Sequence, residues 1–424
     1  MPSRVLTRRT TLAAVASILG GCVTSDPRFE SRCSDDPTAW SQYRGSSDRN
    51  LRVSRVTPAR IDPAPSPSSD SSTSTSASDT TRSTQSPTRE RLPSLDRVGA
   101  VAVDGGPKCP PAVVDSTAVV GVNDGVVATD LQTGNVVWEY RPGGPNRFNT
   151  TPVVHCGTVL ASSTHRLHAL DFETGNRRWR HDVSGGLHFP RSPAVVDGRL
   201  FVPGDGLVAV DARTGETLWQ RTDFGHVAAV AASADHVIAS LEDRGTDPSP
   251  GVAALDPATG ETVWRRTNVG PVDRPAVVSN GRVGVTTESD SVWLLDETDG
   301  ETVTSVLFLR PGRRSPLPPP TLVDDGAVAI ERRLPSGVVR RIDEHGDTRW
   351  ETEVDGASFS PIVGHEYVAV AGSGGLHLLD RETGTVEHTA PLPVGNVTRQ
   401  FPVVPADGRL FVPSHGQITL HDWE

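Results

Sequence analysis

Residues Ala209 to Trp219, Ala-Val-Asp-Ala-Arg-Thr-Gly-Glu-Thr-Leu-Trp, decide how this chain folds. They predict the end of one strand (Leu207 to Val210), a tight turn from Asp211 to Gly215, and the start of another strand from Glu216 to Trp219. A turn Asp accepts hydrogen bonds from backbone N–H groups just downstream, and Gly takes the positive φ that a bulged hairpin requires. The Trp is large and apolar with one N–H to satisfy, so it belongs at a packed seam. A single hairpin of this kind is marginal in water. It must belong to something larger.

The stretch recurs. Asp130 to Gly134 leads to Trp138, Asp171 to Gly175 leads to Trp179, and Asp256 to Gly260 leads to Trp264. Three weaker copies follow: Asp296 to Gly300 has Thr304 at the Trp position, Asp343 to Gly346 is one residue short but keeps Trp350, and Asp380 to Gly384 has His388. A second marker, Pro followed by small β-branched residues, precedes each turn; the copies begin at Pro111, Pro152, Pro193, Pro275, Pro320, Pro361 and Pro402. The fourth copy has drifted to Val230-Ala231-Ala232 and lacks the Pro. The period of about forty residues is that of four-stranded propeller blades.

These markers predict an all-β chain folded as an eight-bladed propeller of four-stranded blades, with seven blades as the alternative if the drifted copy has collapsed. The chain stops at Glu424, just past a turn-type Asp422, so the last blade lacks its outer strand. Counting back from Pro111 by the spacing of the other repeats lands on Val98 to Ala100, so Asp96 to Val103 is expected to complete that blade and close the ring.

Ahead of the propeller, expected over 94–424, three segments are distinguished. Residues 1–22 read as an export signal: Arg4, Arg8 and Arg9 precede a short apolar run, Thr7 to Leu12 resembles a twin-arginine pattern, and Leu19-Gly20-Gly21-Cys22 resembles a lipobox. A lipid on Cys22 would hold the protein at the outer face of the cytoplasmic membrane. An ordinary signal peptide is the alternative. Residues 23–57 form an N-terminal arm with an aromatic island at Trp40 and Tyr43, and 58–93 is a Ser/Thr/Pro-rich stalk with no apolar periodicity.

The formal net charge is −11, and Lys108 is the only lysine. Acidic, lysine-poor composition keeps a protein solvated at high salt and points to a halophilic archaeon, or at least to a GC-rich genome. It also excludes a general nucleic-acid surface, which needs a basic face. The histidines show no metal-ligand spacing, and no phosphate loop, nucleophile elbow or paired carboxylates can be assigned, so no catalytic or metal site is expected.

The Asp-x-x-Thr-Gly-x-x-x-Trp turn, with Pro-x-Val-Val-Asp-Gly upstream, resembles the pyrroloquinoline-quinone-type (quinoprotein-like) β-propeller repeat. The single-domain, lipid-anchored layout is most similar to its BamB-like branch. The resemblance implies a scaffold for other proteins, with Trp138, Trp179, Trp219, Trp264 and Trp350 packed between blades. Its dehydrogenases hold a calcium-chelated quinone beside an adjacent-cysteine disulfide, which this sequence lacks. No cofactor is expected. A quinone-dependent oxidoreductase and a carbohydrate- or ligand-binding surface module remain the alternatives to a non-enzymatic, monomeric scaffold.

With Cys22 lipidated, Cys33, Cys109 and Cys156 remain, enough for one disulfide and one free thiol. The offsets of Cys109 and Cys156 from their Pro markers set them ~20 Å apart at ~3.3 Å per residue, beyond disulfide reach. Cys33–Cys109 is therefore the expected pair, with three free thiols as the alternative. The loops that arrive beside the Pro markers carry Lys108, Arg147, Phe148, His188, Phe189, Arg191, Arg274, Arg313, Arg314, Phe359, Arg399 and Phe401. In an acidic chain this cationic, aromatic face of the funnel predicts a site for an anionic or extended partner, through charge-assisted hydrogen bonds and ring contacts. The alternative is that these arginines only balance nearby acids.

Overall fold

The computed structural model describes residues 97–422 apart from 104–105, 115, 145, 185–191, 246–248, 309–316, 334, 358, 373–374, 392–402, 407–408 and 415–416. Within one repeat the chain runs through strands Ala112–Val114, Thr117–Val122, Gly125–Asp130 and Val136–Tyr140, each paired antiparallel with the next. The innermost strand is short because a Pro lacking an N–H precedes it and a turn ends it. Among the described residues the strands form six four-stranded sheets and one of six strands, and there is no helix. This is a β-propeller of four-stranded blades. The inner strands are apolar on both faces, with Ala112, Val153, Ala194, Val277 and Val404 each 0 % exposed, as a sheet packed on both sides requires.

The six-stranded sheet carries two turns, at Asp211 and Asp256; Arg199–Asp211 runs as one strand through the middle of the first repeat, and the missing Pro joins that repeat to the next. Residues Thr217–Ala232 run as one strand, paired through Arg221 and Ala209↔Trp219 on one side and through Ala231↔Ile238 on the other. With an N–H available at every position the ladder continues from the outer strand of one repeat into the inner strand of the next. The drifted copy keeps its four strands. In the sheet that ends the chain, Arg97–Ala102 lies antiparallel to Gln417–Asp422, with Ala100 opposite Thr419.

The two edges of the propeller differ. On one, the turn between the first two strands of a repeat bonds the Asp turn of the same repeat: Phe172 N–H donates to Gly157 O at 3.0 Å, Ala212 to Gly198 at 2.9 Å and Glu297 to Gly281 at 3.0 Å. On the other, the loop arriving from the outer strand bonds the turn between the middle strands, as in Val183 N–H to His165 O at 2.8 Å and Phe308 N–H to Asp290 O at 2.9 Å. We refer to these as the turn face and the loop face.

The Asp turns are internally bonded and externally latched. Asp256 Oδ1 accepts from the N–H groups of Ala258 and Thr259 at 2.8 and 2.7 Å and from the Thr259 hydroxyl at 3.1 Å. Those bonds, led by the Thr259 N–H, hold its carboxyl below the usual range. Each of the five motif tryptophans donates its indole N–H to the residue after the Asp of the next repeat: Trp138 to Phe172 O (2.7 Å), Trp179 to Ala212 O (3.2 Å), Trp219 to Pro257 O (3.1 Å), Trp264 to Glu297 O (2.8 Å) and Trp350 to Arg381 O (2.9 Å). The turn Gly of that next repeat lies flat on the same ring. A Cβ at Gly175, Gly215, Gly260, Gly300 or Gly384 would stand 2.5–2.7 Å from the indole Cδ2 of the preceding repeat's Trp. The motif thus fastens one repeat to its neighbour. Two residues past the Trp a further donor often reaches that Gly carbonyl, as Arg266 does at 2.6 Å and Thr352 at 2.6 Å.

Candidate functional site: the loop face

The loops of the loop face are held by backbone bonds that leave their side chains free to act. Lys108 N–H donates to Gly121 O at 3.0 Å, anchoring the entry to the strand Ala112–Val114, and its side chain is half-buried. Arg147 is exposed. Arg274 is half-buried, its Nε sealed from solvent with no hydrogen-bond partner, and its one carboxylate neighbour is Asp273 at 3.9 Å. Nearby in the sequence pattern, at the corresponding entry to Val153–His155, the buried Thr151 hydroxyl also lacks a partner.

These cations differ from arginines on the second, third and outer strands of the blades. Arg166 holds Asp182 at 2.9 Å, Arg178 holds Asp171 at 2.6 Å, Arg221 holds Asp223 at 2.7 Å, Arg282 holds Asp296 at 2.8 Å and Arg341 holds Asp325 at 2.7 Å. Among the described residues, neither Lys108 nor Arg147 has a carboxylate within ion-pair distance.

Phe148 is corrected by the structure. It is 1 % exposed and packs against Tyr140 (centroids 6.5 Å) and His168 (5.3 Å), so it is a core residue and presents no ring to a partner. Periodicity places Phe148 in a loop, but a loop residue next to an inner strand can turn inward as easily as outward. Phe359 is half-buried. His188, Phe189, Arg191, Arg313, Arg314, Arg399 and Phe401, like Cys22, Cys33 and the stalk, lie outside the described residues.

The expected Cys33–Cys109 pair is also corrected. Cys109 is a free thiol, fully buried, and burial pushes its pKa up to about 12. It is an inert core residue. Cys156 is the disulfide-bonded cysteine.

Two polar clusters went unread in the sequence. On the loop face, His226 Nδ1 lies 3.1 Å from Asp205 Oδ1, and Arg244 reaches both His226 Nε2 (2.9 Å) and Glu242 Oε1 (2.5 Å). The same Nε2 also lies 3.3 Å from Glu242 Oε1, so the imidazole sits among two carboxylates and one guanidinium. The signal was available: His226 opens the one inner strand with no Pro. Between the Asp130 and Asp171 repeats, His168 is bonded by Tyr140 OH at 3.0 Å and Ser163 Oγ at 3.3 Å. His168 is 2 % exposed, and burial, then the cations Arg177, Arg166 and Arg180, lowers its pKa to about 4. A Ser–His contact sealed between blades meets no substrate, and the cluster acts as a neutral latch.

No group of three or more His, Cys, Asp or Glu among the described residues is arranged to hold a metal ion. Cys109 and Cys156 belong to different repeats.

Comparison with curated proteins finds no match. Among solved structures, BamB from Moraxella catarrhalis superposes with a TM-score of 0.58 at 17% identity, over 78% of this chain and 100% of that one. Quinohemoprotein alcohol dehydrogenase from Comamonas testosteroni gives 0.66 at 14% identity, over 93% and 81%. A europium-containing methanol dehydrogenase gives 0.60 at 12% identity, over 89% of each chain. Likenesses this distant establish the fold alone. The family model described as Outer membrane protein assembly factor BamB matches residues 73–223, 204–316 and 335–421, and the chain belongs to that family of PQQ-type propeller repeats.

Proposed function

We propose that the protein is a non-enzymatic binding scaffold outside the cell. A lipid on Cys22 holds it at the outer face of the cytoplasmic membrane, and its loop face captures an anionic, extended segment of another cell-surface protein. The observation that carries this reading is the set of cations at the loop face in a chain of net charge −11: Lys108 and Arg147, which have no ion-pair partner among the described residues, and Arg274, whose partner Asp273 stands at 3.9 Å. The kinship with an assembly factor supports a protein as the partner. In this reading the propeller has eight blades. The six-stranded sheet contributes two of them, since it bears two Asp turns, and Arg97–Ala102 serves as the outer strand of the last, which its pairing with Gln417–Asp422 supports.

Crosslinking in native membranes followed by mass spectrometry tests the proposal. Arg147→Glu with Arg274→Glu should reduce crosslinking to the principal partner by about tenfold or more, the scale of losing a hydrogen bond between charged groups. Undiminished crosslinking overturns it. Reconstitution with the quinone and Ca²⁺ separates the oxidoreductase alternative, because reduction of an acceptor dye by the loaded protein would establish that activity instead.

A further inference from the structure

We propose that copies of this chain join edge to edge. The outer strand Arg177–Asp182 of one copy pairs antiparallel with the outer strand Thr348–Asp355 of the next, with Arg180 opposite Glu351 and Arg177 opposite Glu353. The contact rests neither on the lipid anchor nor on the loop-face partner proposed above.

Both strands end their sheets, and no described strand pairs with their outer edges. Such an edge is a template for another strand unless its side chains forbid it. Arg177 and Arg180 lie opposite Leu170 and His168, two apart on one strand, so they share a face. Glu351 and Glu353 lie opposite Arg340 and Val338 and share theirs. All four are exposed. Each pair occupies the face away from its own Trp, since Trp179 lies opposite Ala169 and Trp350 opposite Arg341.

The backbone agrees. Asp171 N–H donates to Asn176 O at 2.8 Å, Val183 N–H to His165 O at 2.8 Å and Gly356 N–H to Pro335 O at 2.9 Å. Inward and outward groups alternate along an antiparallel strand, so those of Arg177, Arg180, Glu351 and Glu353 point to the free edge. Arg180 opposite Glu351 is then a hydrogen-bonded pair. The register shift between Ala169 and Leu170 leaves Arg178 as an extra residue, which brings Arg177 opposite Glu353.

Charge selects this register. A slide of two residues one way sets Asp182 against Glu351, and the other way leaves Arg180 against Thr348. It also selects the strands, because the equivalent positions elsewhere hold Val136 and Glu139, Thr217 and Gln220, or Thr302 and Ser305. Arg177, Arg180 and Glu353 have no ion-pair partner among the described residues, and Glu351 shares Arg340 with the buried Glu331. The two edges belong to different repeats, so the contact is heterologous and each added copy brings a fresh edge. Two strand edges bury less than about 1,200 Å², so association should be weak and rise with concentration.

Sedimentation equilibrium of the full chain in density-matched detergent tests the contact. Wild-type mass should rise with concentration. Arg177→Glu and Glu353→Arg should each lower the association constant about tenfold, the scale of exchanging an attractive cross-strand charge pair for a repulsive one. Mixing the two variants should restore association, because every contact between unlike variants is then matched in charge; so should both changes in one chain. Arg213→Glu, the same change of charge on a turn, should associate as wild type. A wild type that stays a single chain, a single variant that associates undiminished, or a mixture that does not recover overturns the proposal. Hydrogen-bonded antiparallel partners have Cα atoms about 5.5 Å apart, within disulfide reach. Arg180→Cys with Glu351→Cys should therefore form reductant-sensitive multimers on mild oxidation, and equal yields from either single variant would overturn the register.

Discussion

Replacing Gly215 by Ala isolates the contact that fastens one repeat to the next. Gly215 has φ +79°, and a Cβ there would meet Trp179 Cδ2 at 2.7 Å and Cε3 at 2.8 Å. Gly134 occupies the same place in its own turn at φ +74°, yet a Cβ there meets nothing within 4 Å. Both substitutions carry the left-handed strain of an L-residue, roughly 1–2 kcal/mol. Only Gly215→Ala also forces an indole off its seat, an overpacking cost of typically 1–3 kcal/mol. Denaturant unfolding at fixed salt should therefore place Gly134→Ala about 1–2 kcal/mol below wild type and Gly215→Ala about 2–5 kcal/mol below. In a Trp179→Ala background, where the ring is gone, the added cost of Gly215→Ala should shrink to that of Gly134→Ala. Equal losses for the two single variants, or an undiminished loss without Trp179, would refute the reasoning.

Trp264→Ala should cost about 3–5 kcal/mol, since the ring is 8 % exposed and its removal leaves a cavity at the seam; Trp264→Phe, which mainly strands the Glu297 carbonyl now bonded at 2.8 Å, should cost about 1–3 kcal/mol by the same unfolding assay. For His168, the folded pKa of about 4 lies below the ordinary histidine value of 6.5, so between those values the unfolded chain binds the extra proton. Stability should therefore fall as pH drops through that window, by up to about 3 kcal/mol, and His168→Gln should flatten that part of the profile.

The turn motif was legible because it is local. Asp, Thr and Gly within five residues carry their own hydrogen bonds, so Asp130, Asp171, Asp211, Asp256 and Asp380 declare themselves without knowledge of the fold. What Gly215 touches was not legible, because Trp179 comes from the preceding repeat and the register between repeats is a property of the assembled ring. The same limit explains Phe148, whose inward turn depends on room made by Tyr140 and His168 across a seam. For the cysteines, spacing along strands correctly separated Cys109 from Cys156. It said nothing of which one faces a core and which a turn, and the burial of Cys109 decides that. On the loop face, Lys108, Arg147 and Arg274 could be picked out by charge alone, but that Lys108 and Arg147 have no ion-pair partner among the described residues is visible only in three dimensions.

The bare Gly134 has a bearing on synthesis. Its turn has no indole to rest on because the strand that would supply one, Arg97–Ala102, contains no Trp. That strand pairs with Gln417–Asp422, the last strand described, so it waits for its partner while some three hundred residues are made. A nascent chain stalled or truncated before Gln417 would present two unpaired sheet edges at once, the template for joining a second copy. The remaining repeats can fold in order as they emerge, Gly175, Gly215, Gly260, Gly300 and Gly384 each settling on the Trp before it, but among the described sheets this one waits for Gln417–Asp422.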